Sequence, residues 1–202
     1  PDKVHVTATS GRRGRVGADR YLHCHKLGEE DATMHAGIRV TTPARTVVDI
    51  ACTSSFEAAV CAADAAGLDP EALRGAVERS GQRAGVARAR RAAAFADARS
   101  ESVGESRSRV YFDRFDVPAP DPQVEIVVDG KTYRVDFLWG GIVGEFDGLS
   151  KYAGDQGGDA VVREKLREDA LRAAGYVVIR WTWADLADGR LARRVLAALV
   201  GR

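Results

Sequence analysis

Acidic side chains on two neighbouring β-type runs are the residues of this sequence best suited to chemistry. Asp136 lies in the first run, Glu145 and Asp147 lie in the second, and Gly140 and Gly141 stand between the runs. The glycine pair predicts a hairpin that would bring the three carboxylates together. Side chains alternate across a strand, so Glu145 and Asp147 share a face. Acids are depleted from strands, so three of them in paired strands require a physical reason.

Carboxylates held that close repel one another unless a proton or a cation lies between them. Oxygen ligands of this kind suit a hard divalent cation such as Mg²⁺ or Mn²⁺, which often uses only one or two protein carboxylates. The alternative is a solvated polar face on an exposed hairpin, as many antiparallel sheets have. The pattern alone leaves both interpretations open.

The composition is that of an ordinary globular chain. It has 202 residues, 45% of them hydrophobic and 29% charged, with a formal net charge of +1. A net charge this small does not mark a nucleic-acid binder, so local patches must carry that argument. Three cysteines argue against a disulfide framework and favour a cytoplasmic location. Every long apolar run is interrupted by charge, which predicts no membrane segment.

The elements that must position the acids follow the order α-β-β-β-α-β-α. We expect helices and strands over residues 104–115, 123–128, 133–139, 142–147, 161–174, 176–183 and 185–200. Trp181 and Trp183 fall on one face of the last predicted strand. That face is expected to form core beneath the final helix, although exposed tryptophans could instead stack on nucleobases.

The sequence of the first half predicts short strands followed by helices. Strands are predicted over residues 4–7, 20–26 and 38–41, and helices over residues 43–51, 55–66, 69–80 and 84–98. A small polar hinge near residue 100 predicts two domains, 1–100 and 101–202. The chain begins with Pro1 and enters a β-type run almost at once, so we expect a missing upstream segment.

Two basic clusters are candidates for contacts with phosphate. Arg12, Arg13 and Arg15 lie in a Gly/Arg-rich loop, and Arg163 and Lys165 lie on the helix predicted after the acidic hairpin. Phosphate contacts dominate nucleic-acid affinity, and such clusters can supply them. Solvated surface charge is the alternative interpretation for both.

The second half resembles the PD-(D/E)XK nuclease superfamily, and more narrowly its very-short-patch-repair-like (Vsr-like) branch. The resemblance implies an α/β fold with a restriction-endonuclease-like α-β-β-β-α-β core and Mg²⁺-dependent hydrolysis of DNA phosphodiester bonds. The motifs occur in the family's order and comprise Glu105, Arg109, Gln123 and residues 133–137, 145–148, 151–152, 163–165 and 175–181.

The resemblance also implies roles for individual residues. Asp136, Glu145 and the main-chain carbonyl of Phe146 would hold the metal, and Glu105 would reach the site from the preceding helix. The family's lysine is expected two residues after Glu145, where this chain has Asp147. An acid cannot stabilise developing negative charge as a cation can. Asp147 would then be a further metal ligand, with the cation supplied by Lys151 or by Lys165.

The first half is similar to the middle of AbiEi-type antitoxin-like proteins, over residues 38–50 and the helical region behind them. That similarity implies an upstream winged-helix DNA-binding domain. It also supports a rival function, in which the chain is a non-catalytic transcriptional regulator that uses a degenerate nuclease fold. Expected partners are DNA and either a cognate toxin or a second copy of the chain, with no membrane and no small-molecule cofactor.

Overall fold

The computed structural model describes residues 3–9, 14–148 and 157–201, except for the side chains of 157–161. The chain divides into two compact units, Pro1–Ala96 and Asp97–Arg202, whereas the sequence placed the boundary after residue 100. Strands and helices occur in both units, which confirms the expected α/β class. None of the described helices combines the length and the apolar character needed to cross a membrane.

The first unit contains two small sheets followed by four helices. Its strands are β1 (Val4–Ala8), β2 (Arg15–Val16), β3 (Arg20–Cys24), β4 (Ala32–His35) and β5 (Ile38–Thr41), and its helices are α1 (Pro43–Thr53), α2 (Phe56–Ala66), α3 (Pro70–Arg79) and α4 (Val86–Phe95). β1 pairs in parallel with β3, β2 pairs antiparallel with β3, and β4 and β5 form a hairpin. The sequence analysis missed β4, which is largely exposed.

A buried arginine connects the strand region of this unit to its helices. Arg45 on α1 is 0% exposed. Its guanidinium donates to Asp31 and Asp49 at 3.0 Å each and to the carbonyl of Lys26 at 3.1 Å. Arg79 on α3 donates to the second oxygen of Asp31 at 2.9 Å. A buried charge must be paired and hydrogen-bonded, so these contacts fix the helices to the segment before them.

Over the described residues, the second unit is a four-stranded sheet with three α-helices. In chain order its elements are α5 (Val103–Arg114), β6 (Asp121–Val128), β7 (Lys131–Trp139), β8 (Ile142–Phe146), α6 (Gly157–Ala173), β9 (Val177–Trp181) and α7 (Arg190–Val200). The strands lie in the order β6-β7-β8-β9. Neighbours are antiparallel except β8 and β9, which are parallel. α6 connects these two strands, as a parallel pair requires a crossover.

Two hydrophobic clusters hold this sheet. The first is aromatic and joins the sheet to α5 and α7 through Tyr111, Phe112, Phe137, Trp139, Ile142, Ile179, Trp181, Leu191 and Val195. The second joins the sheet to α6 through Ile126, Val128, Val135, Val143, Leu171 and Val178. The buried Trp181 indole N–H donates to Ser108 on α5 at 2.7 Å, so its polar atom is satisfied.

The chain leaves β9 earlier than the sequence analysis expected. Trp183 begins a short 3₁₀ turn, Trp183–Leu186, instead of continuing the strand. Asp185 accepts hydrogen bonds from the backbone N–H and the hydroxyl of Thr182 at 2.8 and 3.0 Å, which fixes the turn. The prediction that both tryptophans are core is therefore correct for Trp181, which is 1% exposed, and wrong for Trp183, which is 40% exposed.

Candidate functional site

The predicted acids lie together in one cleft of the second unit. The cleft has a volume of about 450 Å³ and lies where α5, the sheet and α6 meet. Its lining is rich in charge, with six carboxylates and three guanidinium groups. The lining residues are Glu101, Ser102, Glu105, Gln123, Arg134, Asp136, Glu145, Phe146, Asp147, Glu164, Arg167 and Arg180.

Asp136 and Glu145 are neighbours across β7 and β8. The last paired residues of these strands are Phe137 and Gly144, so Asp136 and Glu145 occupy the next position of the same register. There the Asp136 carboxylate accepts a hydrogen bond from the backbone N–H of Phe146 at 2.8 Å. This bond fixes the Asp136 side chain beside the backbone that carries Glu145.

Glu145 is a buried carboxylate with one oxygen that accepts no hydrogen bond. The residue is 5% exposed, and Arg167 Nη1 lies 2.7 Å from its Oε1. The N–H groups of Arg167 do not point at that oxygen, so the contact is an ion pair without a hydrogen bond. Burial raises the pKa of Glu145 to about 7 against the opposing effect of Arg167 and Arg180, and the nearby Asp136 raises it further.

Arg180 on β9 is the second cation at the acids. Its Nη1 lies 2.8 Å from Glu164 and 3.8 Å from Glu145, and its Nη2 lies 3.4 Å from Asp147. Asp147 follows the end of β8, and its backbone N–H donates to the carbonyl of Trp181 at 2.7 Å. Asp147 is thereby kept beside β9, within reach of Arg180.

One face of α6 supplies the charges opposite the sheet. Glu164, Arg167, Glu168 and Leu171 recur at helical spacing and share this face. Leu171 is fully buried in the second cluster and fixes the rotation of the helix. Arg167 also donates to the backbone carbonyl of Arg134 on β7. The packing of Leu171 is therefore consistent with Glu164 and Arg167 facing Glu145.

Glu105 enters the cleft from the first turn of α5. Ser102 caps the helix by accepting from the backbone N–H of Glu105 at 3.1 Å, and its hydroxyl donates to Glu105 Oε1 at 2.7 Å. The backbone N–H of Glu101 and the side-chain amide of Gln123 donate to Oε2 at 3.0 and 2.7 Å. Three donors thus hold a carboxylate that is only 5% exposed and fix its orientation.

Gln123 adopts a backbone conformation that is rare for its residue type. Its φ is +54° in the middle of β6, and the pairing of β6 with β7 is interrupted at the position of Gln123 and Asp136, between the pairs Pro122–Phe137 and Val124–Val135. A left-handed residue other than glycine costs on the order of 1 kcal/mol or more. This strain lies at the point of the sheet where the cleft residues converge.

The other predicted site residues lie outside the cleft or outside the described structure. Arg15 is exposed on β2 in the first unit, and Arg163 and Lys165 are exposed on α6 and do not line the cleft. The structure gives no position for Arg12, Arg13 or Lys151, which fall outside the described residues.

Sequence reasoning missed the two arginines that contact the acids. Arg167 lies two residues beyond Lys165, and helical spacing places the two side chains on different faces. Arg180 stands between the core residues Ile179 and Trp181, so strand alternation assigns it to the opposite face. Alternation could have identified Arg180, and the position of Leu171 on α6 could have identified Arg167.

The donor set of the cleft fits a hard divalent cation, although the arginines compete for it. Carboxylate oxygens are the ligands such ions prefer, and Glu145 Oε1 is a buried acceptor with no hydrogen bond. Arg167 and Arg180 place positive charge at the same oxygens. Within residues 3–9, 14–148 and 157–201, no group of three or more His, Cys, Asp or Glu side chains is arranged to hold a metal ion.

Comparisons with known proteins find relatives without an assigned function. Two uncharacterised proteins of Mycobacterium tuberculosis, from strains CDC 1551 / Oshkosh and ATCC 25618 / H37Rv, are each 30% identical to the chain over 170 residues. The match covers 79% of this chain and 61% of each relative, so the chain spans about three fifths of their length. No family model matches the chain, and no solved structure matches it.

Proposed function

We propose that the second unit is a metal-dependent endonuclease-like domain with a restriction-endonuclease-like core, which hydrolyses phosphodiester bonds of DNA. The observation that carries the proposal is the convergence of Glu105, Asp136, Glu145 and Asp147 on one cleft. With six carboxylates against three guanidinium groups, the cleft carries an excess of negative charge, which favours a bound cation.

The residues of the cleft have different proposed roles in such a reaction. The proposed ligands of Mg²⁺ or Mn²⁺ are Asp136, Glu145, Asp147 and the main-chain carbonyl oxygen of Phe146. When bound, the cation would polarise the scissile phosphate and lower the pKa of an attacking water. Glu105, held by three donors, would contribute a fixed carboxylate to the cleft from the side of α5.

Arg167 and Arg180 supply the positive charge that Asp147 cannot. Both guanidinium groups lie at the proposed metal ligands, and either can pair with the oxygens of a phosphate. In this proposal Asp136, Glu145 and Asp147 would hold the cation, and Arg167 and Arg180 would pair with the phosphate. Developing negative charge in the transition state is then stabilised from two directions.

Plasmid cleavage tests the proposal. Purified protein with Mg²⁺ or Mn²⁺ is expected to nick or linearise supercoiled plasmid, with no reaction in EDTA. Asp136→Ala should abolish cleavage, and Glu125→Gln, which changes an exposed carboxylate of β6 outside the cleft, should leave it within about threefold, since surface substitutions away from a site have small effects. Equal inertness of wild type and Asp136→Ala across metals and substrates would exclude catalysis.

A non-catalytic regulator is the second candidate, and the arginine contacts favour it. In an antitoxin-like repressor the cleft would be a structural ion-pair network, with Glu145 and Asp147 permanently paired by Arg167 and Arg180. Gel-shift binding to the chain's own promoter, unaffected by EDTA and by Asp136→Ala, would support this function. Such binding should weaken steeply with added salt, because it depends on phosphate contacts.

A further inference from the structure

Trp183 presents a large aromatic surface to solvent beside the candidate site. It is 40% exposed, whereas Trp139 and Trp181, the other two tryptophans of the chain, are 7% and 1% exposed. Aromatic side chains of this kind are enriched at binding surfaces.

The indole is held in place by two neighbours. The ring of Phe146 meets it edge-to-face, with the centroids 4.6 Å apart, and the guanidinium of Arg107 on α5 lies 5.1 Å from the Trp183 centroid. The turn that begins at Trp183 is fixed by the bonds from Thr182 to Asp185. The ring therefore needs little ordering before a ligand can bind.

Phe146 joins this aromatic surface to the acidic cleft. Its ring contacts Trp183, its backbone N–H donates to Asp136, and the residue lines the cleft next to Glu145. The exposed indole thus lies one side chain away from the proposed ligands of the metal. Because Phe146 lines the cleft and contacts the indole, a strand with a phosphate in the cleft would extend past Phe146 toward Trp183.

We propose that Trp183, backed by Phe146 and Arg107, stacks on a nucleobase of single-stranded nucleic acid bound across the cleft. The proposal rests on the proposed function and names its substrate class. Every base offers a π-face, so stacking gives affinity without sequence preference, and an arginine on the same ring adds a cationic contact. In a duplex the base faces are already stacked, so an unpaired strand is the form that fits.

Tryptophan fluorescence tests the proposal independently of catalysis. A change in emission on binding reports mainly on Trp183, because it is the only exposed tryptophan of the three. In EDTA the full chain is titrated with single-stranded oligothymidine of about 12 nucleotides, within the range of single-strand binding sites. We expect the single strand to quench the emission. An abasic oligonucleotide of equal length and charge, and a duplex of the same length, should not.

Fluorescence anisotropy of a labelled oligothymidine measures how strongly matched variants bind it. Trp183→Leu is expected to weaken binding about 5- to 150-fold, the effect of losing one stacked base, while Trp183→Phe stays within about threefold because it keeps an aromatic face. Tyr21→Leu removes an exposed aromatic ring of the first unit and should have no effect. Quenching by the abasic probe equal to that by oligothymidine, or unchanged binding by Trp183→Leu, would overturn the proposal.

Failure of stacking and failure of catalysis give different results. Asp136→Ala is expected to abolish cleavage, whereas the quenching is measured on the wild-type chain in EDTA, where no cleavage is expected. Wild-type cleavage with unchanged binding by Trp183→Leu would reject the stacking and keep the nuclease. Base-dependent quenching without cleavage of plasmid or of single-stranded DNA in any metal would support the stacking and reject the nuclease.

Discussion

Glu145 and Arg180 lie directly opposite each other in the parallel register of β8 and β9. From this position the guanidinium of Arg180 lies 3.8 Å from Glu145 and 3.4 Å from Asp147. One side chain of the sheet therefore partly neutralises two acids that are proposed to hold a metal ion. Cation binding and the arginine contacts should then oppose each other, which can be measured.

Removing this arginine should strengthen metal binding and weaken cleavage. Without the competing charge, Arg180→Gln is expected to bind Mn²⁺ about tenfold more tightly, equivalent to about 1.4 kcal/mol. Loss of a group that stabilises transition-state charge should lower the cleavage rate by about 10²- to 10³-fold. Titration calorimetry and plasmid cleavage measure the two effects.

Arg134 provides the matched control for that experiment. It also lines the cleft, but it pairs with the exposed Glu101 at 2.6 Å instead of with Glu145. Arg134→Gln should change the Mn²⁺ affinity by less than about twofold, since exposed ion pairs contribute little. Weaker Mn²⁺ binding by Arg180→Gln would mean that the arginine helps to organise the ligands, contrary to the prediction.

The pKa of Glu145 predicts how stability depends on pH. Because its pKa is raised from 4.5 to about 7 in the folded protein, the folded state holds this proton more tightly than the unfolded state. The resulting stabilisation is complete below about pH 4.5 and is lost as the pH rises through about 7. In wild type it amounts to about 3 kcal/mol at most.

Glu145→Gln should abolish that dependence. Chemical unfolding in EDTA at several pH values is expected to show a flatter profile for the variant between about pH 4.5 and 7.5. Glu125→Gln, which changes an exposed carboxylate on β6, should keep the wild-type profile. Parallel profiles of wild type and Glu145→Gln would show that Glu145 titrates in its ordinary range.

Substitution of Gln123 should reveal the strain in its backbone. Gln123→Gly and Gln123→Ala both lose the hydrogen bond to Glu105, but only glycine adopts a φ of +54° without cost. The alanine variant should therefore be less stable than the glycine variant by about 1 kcal/mol, from urea unfolding. Equal or greater stability of the alanine variant would contradict a strained backbone at this position.

Gly104 allows α5 to approach β8. A Cβ atom at Gly104 would lie 2.1 Å from the ring of Phe146, so Gly104→Ala should destabilise the protein by about 1–3 kcal/mol. Gly75 in the middle of α3 is a matched control, because its Cβ would meet only the flexible end of Arg79. Gly75→Ala should instead stabilise by up to about 1 kcal/mol. Thermal unfolding compares the two variants.

The elements around the site could largely be predicted from local patterns. Alternation and the glycine pair placed Asp136 and Glu145 on adjacent strands, and the observed register brings them side by side. Serine followed three residues later by glutamate, at Ser102 and Glu105, is also a sequence signal for the start of a helix. These signals predict the elements correctly because each depends on residues close together in the chain.

The remaining features depend on contacts between distant residues. The pairing of Arg167 with Glu145 requires the rotation of α6, which packing of Leu171 sets. The left-handed Gln123 has no local signal, since glutamine is not a residue that favours positive φ. The end of β9 before Trp183, in contrast, has a local signal. Thr182 and Asp185 form a capping box, and this pattern in the sequence predicts that the strand ends at Thr182.

The buried guanidinium of Arg45 limits where the first unit can be cut without loss of stability. Its hydrogen bonds go to Lys26, Asp31 and Asp49, which belong to segments on both sides of β4 and β5. A fragment beginning at α1 would keep the cation and lose half of its counter-charge, a defect that costs about 3–5 kcal/mol in buried pairs. We therefore expect the four helices to be less stable as an isolated fragment, and proteolytic trimming that removes Asp31 should expose the whole bundle to degradation.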